Sequence, residues 1–285
     1  MKRTRIFGLT SLAMIAFASN SLLCRAALKQ TSIDAATFTF VRIFSGAAAL
    51  WLIIKMRRRA WEDAGNWCSA AALFVYAAAF SFAYNTLSAG MGALLLFGAV
   101  QATMVLWGLR KGEKLQAIQI VGLIVAVSGL AALVFPGLSA PPFSSSILMF
   151  GAGVAWGIYS LRGQTASDAI AATAGNFLRA VPFAVAVGII MLPWARFDRT
   201  GIGYAVISGA ITSGLGYVIW YSVLSDSMPV RLGPAGAATV QLSVPVLAAT
   251  GGILLLGEPI TLRYLVASIA VLGGIALVVI EKNHE

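Results

Sequence analysis

Long apolar runs, separated by short stretches that are charged or rich in Pro and Gly, make up most of this 285-residue chain. A helix that crosses a bilayer needs about 20 such residues. The pattern therefore predicts ten membrane-spanning helices and leaves no segment for a soluble domain. Their predicted bounds are residues 6–27, 35–55, 67–87, 89–109, 115–135, 145–163, 170–192, 201–224, 234–256 and 262–280.

The composition supports an all-α integral membrane protein. Hydrophobic residues make up 59% of the chain and charged residues only 11%, and the mean hydropathy is +0.88. A soluble domain needs far more polar surface than this. The first apolar run resembles a cleavable leader around Ala16-Phe17-Ala18. Because cleavage there would divide the first span, we expect the segment to remain as a helix.

The chain has a net charge of +10, and the basic residues of its first half flank the predicted spans on one side, whereas those of the second half show little bias. Positively charged loops stay in the cytoplasm, so the N-terminus is expected there, and ten spans return the C-terminus to the same side. We expect a multi-pass protein of the bacterial inner membrane, with no nucleic-acid partner. The basic residues of the first half that carry this signal are Lys2, Arg3, Arg5, Lys55, Arg57, Arg58, Arg59, Arg110, Lys111 and Lys114.

The chain repeats itself at a spacing of 137 residues, and the repeat includes charges within apolar runs. The predicted repeats are residues 1–135 and 145–285, joined by a linker at 136–144. Since each repeat has five spans, the second enters the membrane from the opposite face, which predicts inverted repeats. The matched residues are Arg25 and Arg162, Arg42 and Arg179, Phe40-Val41-Arg42 and Phe177-Leu178-Arg179, Tyr84 and Tyr221, and Leu87 and Leu224.

Glycine-glutamate pairs open the last span of each repeat, at a spacing that has grown to 145 residues. They are Gly112-Glu113 and Gly257-Glu258. A carboxylate at a helix N-terminus interacts favourably with the helix dipole. We therefore expect Glu113 and Glu258 to stabilise the helices that they precede.

Short motifs follow one another in a matching order in the two halves. The first half carries Ala18-Ser19-Asn20-Ser21-Leu22-Leu23-Cys24-Arg25, Phe40-Val41-Arg42 and Gly112-Glu113. The second carries Ala155-Trp156-Gly157 with Arg162, Phe177-Leu178-Arg179 and Leu256-Gly257-Glu258-Pro259. In this order the chain resembles the EamA-type drug/metabolite transporters over nearly its whole length. The resemblance implies a ten-helix carrier of small metabolites such as amino acids, often moved outward.

Four arginines fall within or at the ends of spans, where charge is costly. Arg25 and Arg162 are close enough to helix ends to snorkel or to cap carbonyl groups. Arg42 and Arg179 are deeper, and are candidates for binding a substrate carboxylate or for gating. No Asp or Glu lies deep within a span, which favours facilitated movement over coupling to an ion gradient.

Aromatic hydroxyls and amides complete the predicted substrate pathway. The tyrosines could line a pathway, pack between helices or form an interfacial belt. The amides could join helices or face a water-filled interior. Two prolines within spans, Pro182 and Pro245, are candidate hinges. The remaining pathway candidates are Tyr84, Tyr217, Tyr221, Asn20, Asn85, Gln101, Asn176 and Gln241.

These features predict an alternating-access carrier rather than an enzyme. The expected partners are a small-molecule solute and the bilayer, with a homodimer left open, and no metal or cofactor is expected. Broad efflux of amphipathic drugs is the main alternative, and a non-transporting scaffold is another. A lipid-modifying enzyme would need an acid/base pair or a metal cluster, for which the single histidine, His284, and two cysteines give little material.

Overall fold

The structure is a computed structural model that describes residues 3–57, 64–112, 115–135, 140–164, 166–224 and 240–280. Within these ranges the chain forms ten long helical segments and a short 3₁₀ turn at Leu192–Trp194. The helices are α1 (Arg3–Gln30), α2 (Ala35–Met56), α3 (Trp67–Ala83), α4 (Ala89–Arg110), α5 (Ala117–Val134), α6 (Phe143–Gly163), α7 (Ala169–Ile190), α8 (Arg199–Leu224), α9 (Ser243–Leu256) and α10 (Leu262–Ile280).

Seven of the described helices are long and apolar enough to cross a membrane: α1, α2 and α4 to α8. The helices α3, α9 and α10 are shorter apolar segments. Most helix ends lie within a few residues of the predicted bounds. The prediction for α3 was too long, because the chain turns at Tyr84 and Ser88 then caps α4 by accepting a hydrogen bond from the N–H of Met91.

Helices of the first half pack mainly on helices of the second half. The pairs α2 with α7 and α5 with α10 join equivalent helices of the two halves. The contact of α1 with α9 has its counterpart in α6 with α4, and that of α1 with α8 in α6 with α3. Exchanging each helix for the one five places along therefore reproduces these contacts.

Contacts between turns define two opposite faces of the bundle. The Arg25 face carries residues 31–34, 84–88, 191–198 and 257–261, and Lys29 there donates to the carbonyl of Leu256 at 3.1 Å. The Arg162 face carries residues 64–66 and 166–168. There the N–H of Asn66 donates to Oδ1 of Asn176 at 3.0 Å.

A carboxylate joins two turns of the Arg25 face. Asp34 caps α2, accepts from the N–H of Arg196 at 2.7 Å and accepts from the hydroxyl of Thr37 at 2.5 Å. Partial burial raises the pKa of Asp34, but these hydrogen bonds outweigh it and hold the pKa below its usual value. The turn after α1 is thereby fixed to the turn before α8.

Candidate functional site

Arg42 lies at the centre of the bundle, about two turns from the start of α2, and is 1% exposed. Its Nη2 donates to the hydroxyls of Tyr76 at 3.0 Å and Tyr217 at 2.8 Å. Its Nε donates to Oγ of Ser213 at 3.0 Å. None of the described residues offers Arg42 a carboxylate partner. The guanidinium is therefore held by neutral groups from α3 and α8.

Asn20 extends this cluster on α1. Its amide donates to the hydroxyl of Tyr76 at 3.1 Å, and its Oδ1 accepts from Ser208 at 2.6 Å and Thr212 at 3.3 Å. Ser208, Thr212 and Ser213 all belong to a stretch of α8, Ser208–Leu215, that is wound as a π-helix. Such wider turns are rare and occur often at functional sites. Here the π-helical turns bring three hydroxyls to Asn20 and Arg42.

Aromatic rings form the walls of the cluster. The Trp156 ring centroid is 4.6 Å from that of Tyr217 and 4.9 Å from that of Tyr76. The Phe80 ring lies 5.0 Å from the Arg42 guanidinium carbon. Buried polar groups are normally paired. In the described part of the chain, however, Arg42 Nη1 and Trp156 Nε1 have no hydrogen-bond partner, so this region holds donors without acceptors.

A polar cavity of about 240 Å³ opens on the Arg162 face. Both halves line it, and its polar residues include Asn66, Ser69, Arg162, Asp168 and Asn176. Tyr221 also lines it, and its hydroxyl donates to the carbonyl of Tyr159 at 2.9 Å.

Stacked tyrosines lead from this cavity towards Arg42. The Tyr221 ring centroid is 5.0 Å from that of Tyr159, which is 6.3 Å from that of Tyr217. Since Tyr217 bonds to Arg42, the cavity and the central cluster are joined by a continuous series of ring contacts.

The Arg25 face is closed by an ion pair. Nε of Arg25 lies 3.0 Å from Oε1 of Glu258, and both side chains are largely buried. Arg25 also donates to the carbonyls of Tyr84 at 2.9 Å and Asn85 at 3.0 Å. The N–H of Ala89, at the start of α4, donates to Oε2 of Glu258 at 2.8 Å. Glu258 was predicted to stabilise the N-terminus of α10, the helix that it precedes. That prediction was wrong, because its carboxylate accepts from the first N–H of α4 instead.

The predicted pathway residues separate into groups. Asn20, Arg42 and Tyr217 meet at the centre, and Asn176 and Tyr221 line the cavity on the Arg162 face. Tyr84 is buried at the Arg25 face, where its hydroxyl donates to the carbonyl of Ala89 at 3.2 Å. The Asn85 side chain is exposed in the turn after α3, beyond the helix in which it was predicted.

Three further candidates lie away from the central cluster. Arg179 donates to the carbonyls of Ala64 at 2.8 Å and Gly175 at 3.1 Å, and so fixes the turn before α3. Gln101 borders an apolar void of about 30 Å³ between α4, α5 and α10. Gln241 is buried, and neither polar atom of its side chain has a hydrogen-bond partner among the described residues.

The two prolines occupy different environments. Pro182 lies inside α7, which continues through it, and the residue is exposed. Pro245 lies in the first turn of α9, three residues after an interruption of the helix at Leu242. Pro245 has no N–H to donate to the carbonyl of Gln241, and the helix is interrupted at this point. Glu113, the repeat counterpart of Glu258, lies outside the described residues.

Several residues that complete these sites were not among the predicted pathway residues. Tyr76, Phe80 and Tyr84 follow one another at intervals of four residues, and this spacing along one helix face was the available signal for Tyr76. The hydroxyls of α8 carried no signal beyond their composition, because a π-helical stretch shifts which side chains share a face. In the part of the chain that the structure describes, no three His, Cys, Asp or Glu side chains lie together as metal ligands.

Comparisons with known proteins match the whole chain. A family model described as the EamA-like transporter family matches residues 5–135 and 143–280. A protein of Pseudomonas aeruginosa, named only as uncharacterized, is 53% identical over 283 residues, with 99% of this chain and 97% of that protein covered. One solved crystal structure, described without a function, covers 99% of both chains with a TM-score of 0.66 and 14% identity. It supports the fold alone.

Proposed function

Because the chain belongs to the EamA-like transporter family, as its motifs predicted, we propose that it is an alternating-access carrier for small carboxylate-bearing metabolites. Amino acids are the first candidates, and export through the bacterial inner membrane is the proposed direction. The carrier comprises ten membrane-spanning helices in two inverted repeats. Substrate crosses at the centre, between α1, α2 and α3 of the first repeat and α8 of the second.

The observation that carries this proposal is the burial of Arg42 without an acid. An arginine at the centre of a membrane helix costs about 2.5–3.5 kcal/mol on insertion scales. Neutral hydroxyls surround it, and one guanidinium nitrogen has no acceptor among the described residues. A solute carboxylate would supply both the missing charge and the missing acceptor. The cluster thus suits a transient anionic guest better than a permanent ion pair.

The difference between the two faces supports alternating access. The Arg25 face is held shut by Arg25 and Glu258, while the Arg162 face has a cavity of about 240 Å³. Among the described basic residues of the first half, Lys55, Arg57, Arg110 and Lys111 lie at helix ends on the Arg162 face, which supports a cytoplasmic position for it. The packing symmetry supplies a second, mirror-related arrangement in which the other face would open.

The charge of the central cluster favours anionic solutes over cationic drugs, because Arg42 is buried there with no acid beside it among the described residues. No described acid contacts Arg42 to act as a proton-coupling group. We therefore propose facilitated movement down the solute gradient rather than broad drug efflux.

Uptake into inside-out membrane vesicles tests this function. Wild-type protein should take up radiolabelled amino acids above the background of vesicles that lack it. Arg42→Gln should lower uptake at low substrate concentration roughly ten- to a hundredfold, the range for a lost hydrogen bond to a charged group. Arg42→Lys should retain part of it, because the charge remains.

The matched control is Arg263→Gln. Arg263 donates to the carbonyl of Phe135, far from the central cluster, so this variant should transport as wild type does. If no carboxylate-bearing solute is taken up, or if folded Arg42→Gln transports at the wild-type rate, the proposal is wrong.

A further inference from the structure

A groove of about 330 Å³ lies on the outer surface of the bundle at the Arg162 face, between the ends of α4 and α6. We refer to it as the α4–α6 groove. Trp107 is 47% exposed and Ile158 is 43% exposed, so the groove is open to the surroundings of the bundle, which are lipid for a membrane-spanning protein. Its lining residues are Asn66, Trp107, Ile158, Leu161 and Arg162.

The groove begins where α4 and α6 move apart. One turn further from the Arg162 face the two helices are in close contact, because a Cβ added to Gly157 would meet the side chain of Thr103 at 2.9 Å. Trp107 and Leu161 each follow this contact by four residues, about one helical turn. The groove is therefore an apolar slot that is closed towards the membrane centre and open at the helix ends.

Two cations lie at the open end of the slot. Nζ of Lys111 is 5.4 Å from the ring centroid of Trp107, and both Lys111 and its neighbour Arg110 are exposed. Because residues three and four apart share a helix face, both lie on the side of α4 that carries Trp107. Among the described residues, no carboxylate forms an ion pair with either cation. The slot thus has positive charge at its mouth.

Arg162 belongs to the wall of the groove rather than to its mouth. Its Nε donates to Oγ of Ser69 at 2.9 Å, and its Nη2 donates to Oδ1 of Asn66 at 2.9 Å. Arg162 and Asn66 also line the polar cavity of about 240 Å³. These two side chains therefore form a partition between the polar cavity and the α4–α6 groove.

We propose that the α4–α6 groove binds an anionic phospholipid of the cytoplasmic leaflet. Arg110 and Lys111 hold the phosphate, and an acyl chain lies against Trp107, Ile158 and Leu161. Basic pockets between membrane helices on the cytoplasmic side are suited to anionic lipid headgroups. Charge complementarity at the mouth selects the headgroup, and the apolar slot accepts the chain.

Other occupants match only one part of the groove. A soluble anion such as phosphate would satisfy the cations but leave the apolar slot uncovered. A lipid with no net charge would fill the slot but gain little from the cations. A second copy of the chain in the same membrane has the same orientation, so it would bring its own basic residues towards Arg110 and Lys111. An anionic phospholipid satisfies both parts.

Native mass spectrometry of the purified protein in a neutral detergent tests the assignment by measuring the affinity for the first bound lipid. The probes are dioleoylphosphatidylglycerol, dioleoylphosphatidylcholine, which has the same chains but no net charge, and glycerol 3-phosphate, which has a phosphate but no chains. Wild-type protein should prefer phosphatidylglycerol to phosphatidylcholine roughly thirtyfold, since each of two cations contributes roughly fivefold. Glycerol 3-phosphate should not displace the lipid.

Charge variants test the mouth of the groove. Lys111→Gln should lower the affinity for phosphatidylglycerol roughly fivefold, and the double variant with Arg110→Gln roughly thirtyfold. Neither should change the affinity for phosphatidylcholine. The matched control is Lys55→Gln. Nζ of Lys55 is 4.9 Å from the ring centroid of Trp51, in an equivalent pair at the end of α2, but Trp51 does not line the groove. This variant should bind both lipids as wild type does.

A second pair of variants tests the slot without changing charge. Ile158→Trp places a larger side chain in the groove and should weaken the binding of phosphatidylglycerol. Ile147→Trp is its control, because Ile147 is an exposed residue near the start of the same helix and does not line the groove. It should leave the binding unchanged.

Several outcomes would overturn the proposal. If wild-type protein binds the two lipids equally, or if Lys55→Gln weakens phosphatidylglycerol binding as much as Lys111→Gln does, the headgroup is not recognised at this mouth. Displacement by glycerol 3-phosphate would assign a free phosphate instead, and equal effects of Ile147→Trp and Ile158→Trp would exclude the slot. Each measurement reads lipid binding rather than transport, so failure here leaves the assignment of Arg42 standing.

Discussion

Arg25 and Arg42 lie on adjacent helices of the first half and are buried by different means. Arg25 pairs with Glu258 and two backbone carbonyls. In the described part of the chain, Arg42 contacts hydroxyls and aromatic rings but no acid. The ion pair of Arg25 and Glu258 stabilises one arrangement of the protein, whereas the hydrogen-bonding group left over on Arg42 could bind a ligand. At the scale of single residues, this difference distinguishes the proposed gate, at Arg25, from the proposed binding site, at Arg42.

Asp34 gives a prediction about pH. Its pKa is lowered in the folded protein, so its contribution to stability is fully present above the unfolded value of about 3.9 and is lost as the pH falls through the folded pKa. The thermal unfolding midpoint in detergent should therefore drop as the pH is lowered from about 5 to about 3, a range that brackets the unfolded pKa. Asp34→Asn should start from a lower midpoint and lose less over this range. If the midpoint falls equally in wild type and in Asp34→Asn, the pH dependence does not come from Asp34.

Residue chemistry could be predicted from the sequence only where a side chain is unusual for its surroundings. An arginine, an asparagine or a tyrosine within an apolar run is such a case, and Arg42, Asn20 and Tyr217 do meet. Ser and Thr are ordinary in membrane helices because they bond to their own backbone, as Thr39 does to the carbonyl of Ala35 at 2.7 Å. The roles of Ser208 and Ser213 were therefore hidden until the helices were placed.

At the scale of elements, α8 depends on its close approach to α2. The added Cβ of an alanine at Gly209 would meet the carbonyl oxygen of Arg42 and the hydroxyl of Ser45. Gly209 lies in the π-helical stretch, one residue after Ser208. The missing side chain lets α8 bring its hydroxyls to Asn20 and Arg42.

Gly209→Ala should therefore destabilise the protein by about 1–3 kcal/mol through overpacking. Gly203→Ala, in the same helix, is the matched control, because nothing lies within 4 Å of its added Cβ. That substitution should stabilise the helix by up to about 1 kcal/mol. Unfolding midpoints in detergent should move in opposite directions. Midpoints that rise together would show that the contact with α2 is not tight.

Helix bounds were predictable because apolar runs and capping residues are local features. Asp34, Asn66, Ser88, Asp168 and Asp198 each accept a hydrogen bond from a backbone N–H in the first turn of the helix they precede. The π-helical turns of α8 were not predictable, since their register depends on contacts with α1 and α2. The helix interruption before Pro245 was predictable in part, because a proline predicts that a helix is interrupted but not at which residue.

At the scale of the whole molecule, the repeat predicted two equivalent halves, and the largest helix contacts recur when the halves are exchanged. The two faces nevertheless differ in this structure. An ion pair closes one, and a cavity opens on the other. Sequence similarity between the halves cannot encode this difference, because it belongs to one state of a molecule that we propose alternates between two.

The two cysteines of the chain allow this closure to be tested without engineered sites. Cys24 is buried, next to Arg25, and Cys68 is exposed near the Arg162 face. In right-side-out vesicles, a membrane-impermeant maleimide should leave wild-type Cys24 unlabelled. Glu258→Gln removes the charge that holds Arg25, so the Arg25 face should open more often and Cys24 should become labelled. Loss of the signal in Cys24→Ser would identify the labelled position.

Cys68 provides the control for sidedness. It should react in inside-out vesicles of both wild type and Glu258→Gln, and in neither protein when the vesicles are right-side-out. Cys24 could instead stay unlabelled in Glu258→Gln while Cys68 is labelled from the other side. That result would mean that Arg25 and Glu258 do not close the Arg25 face. If Cys24 becomes labelled only when Arg25 loses its partner, the ion pair is the part of the molecule that separates the central arginine from the outer solution.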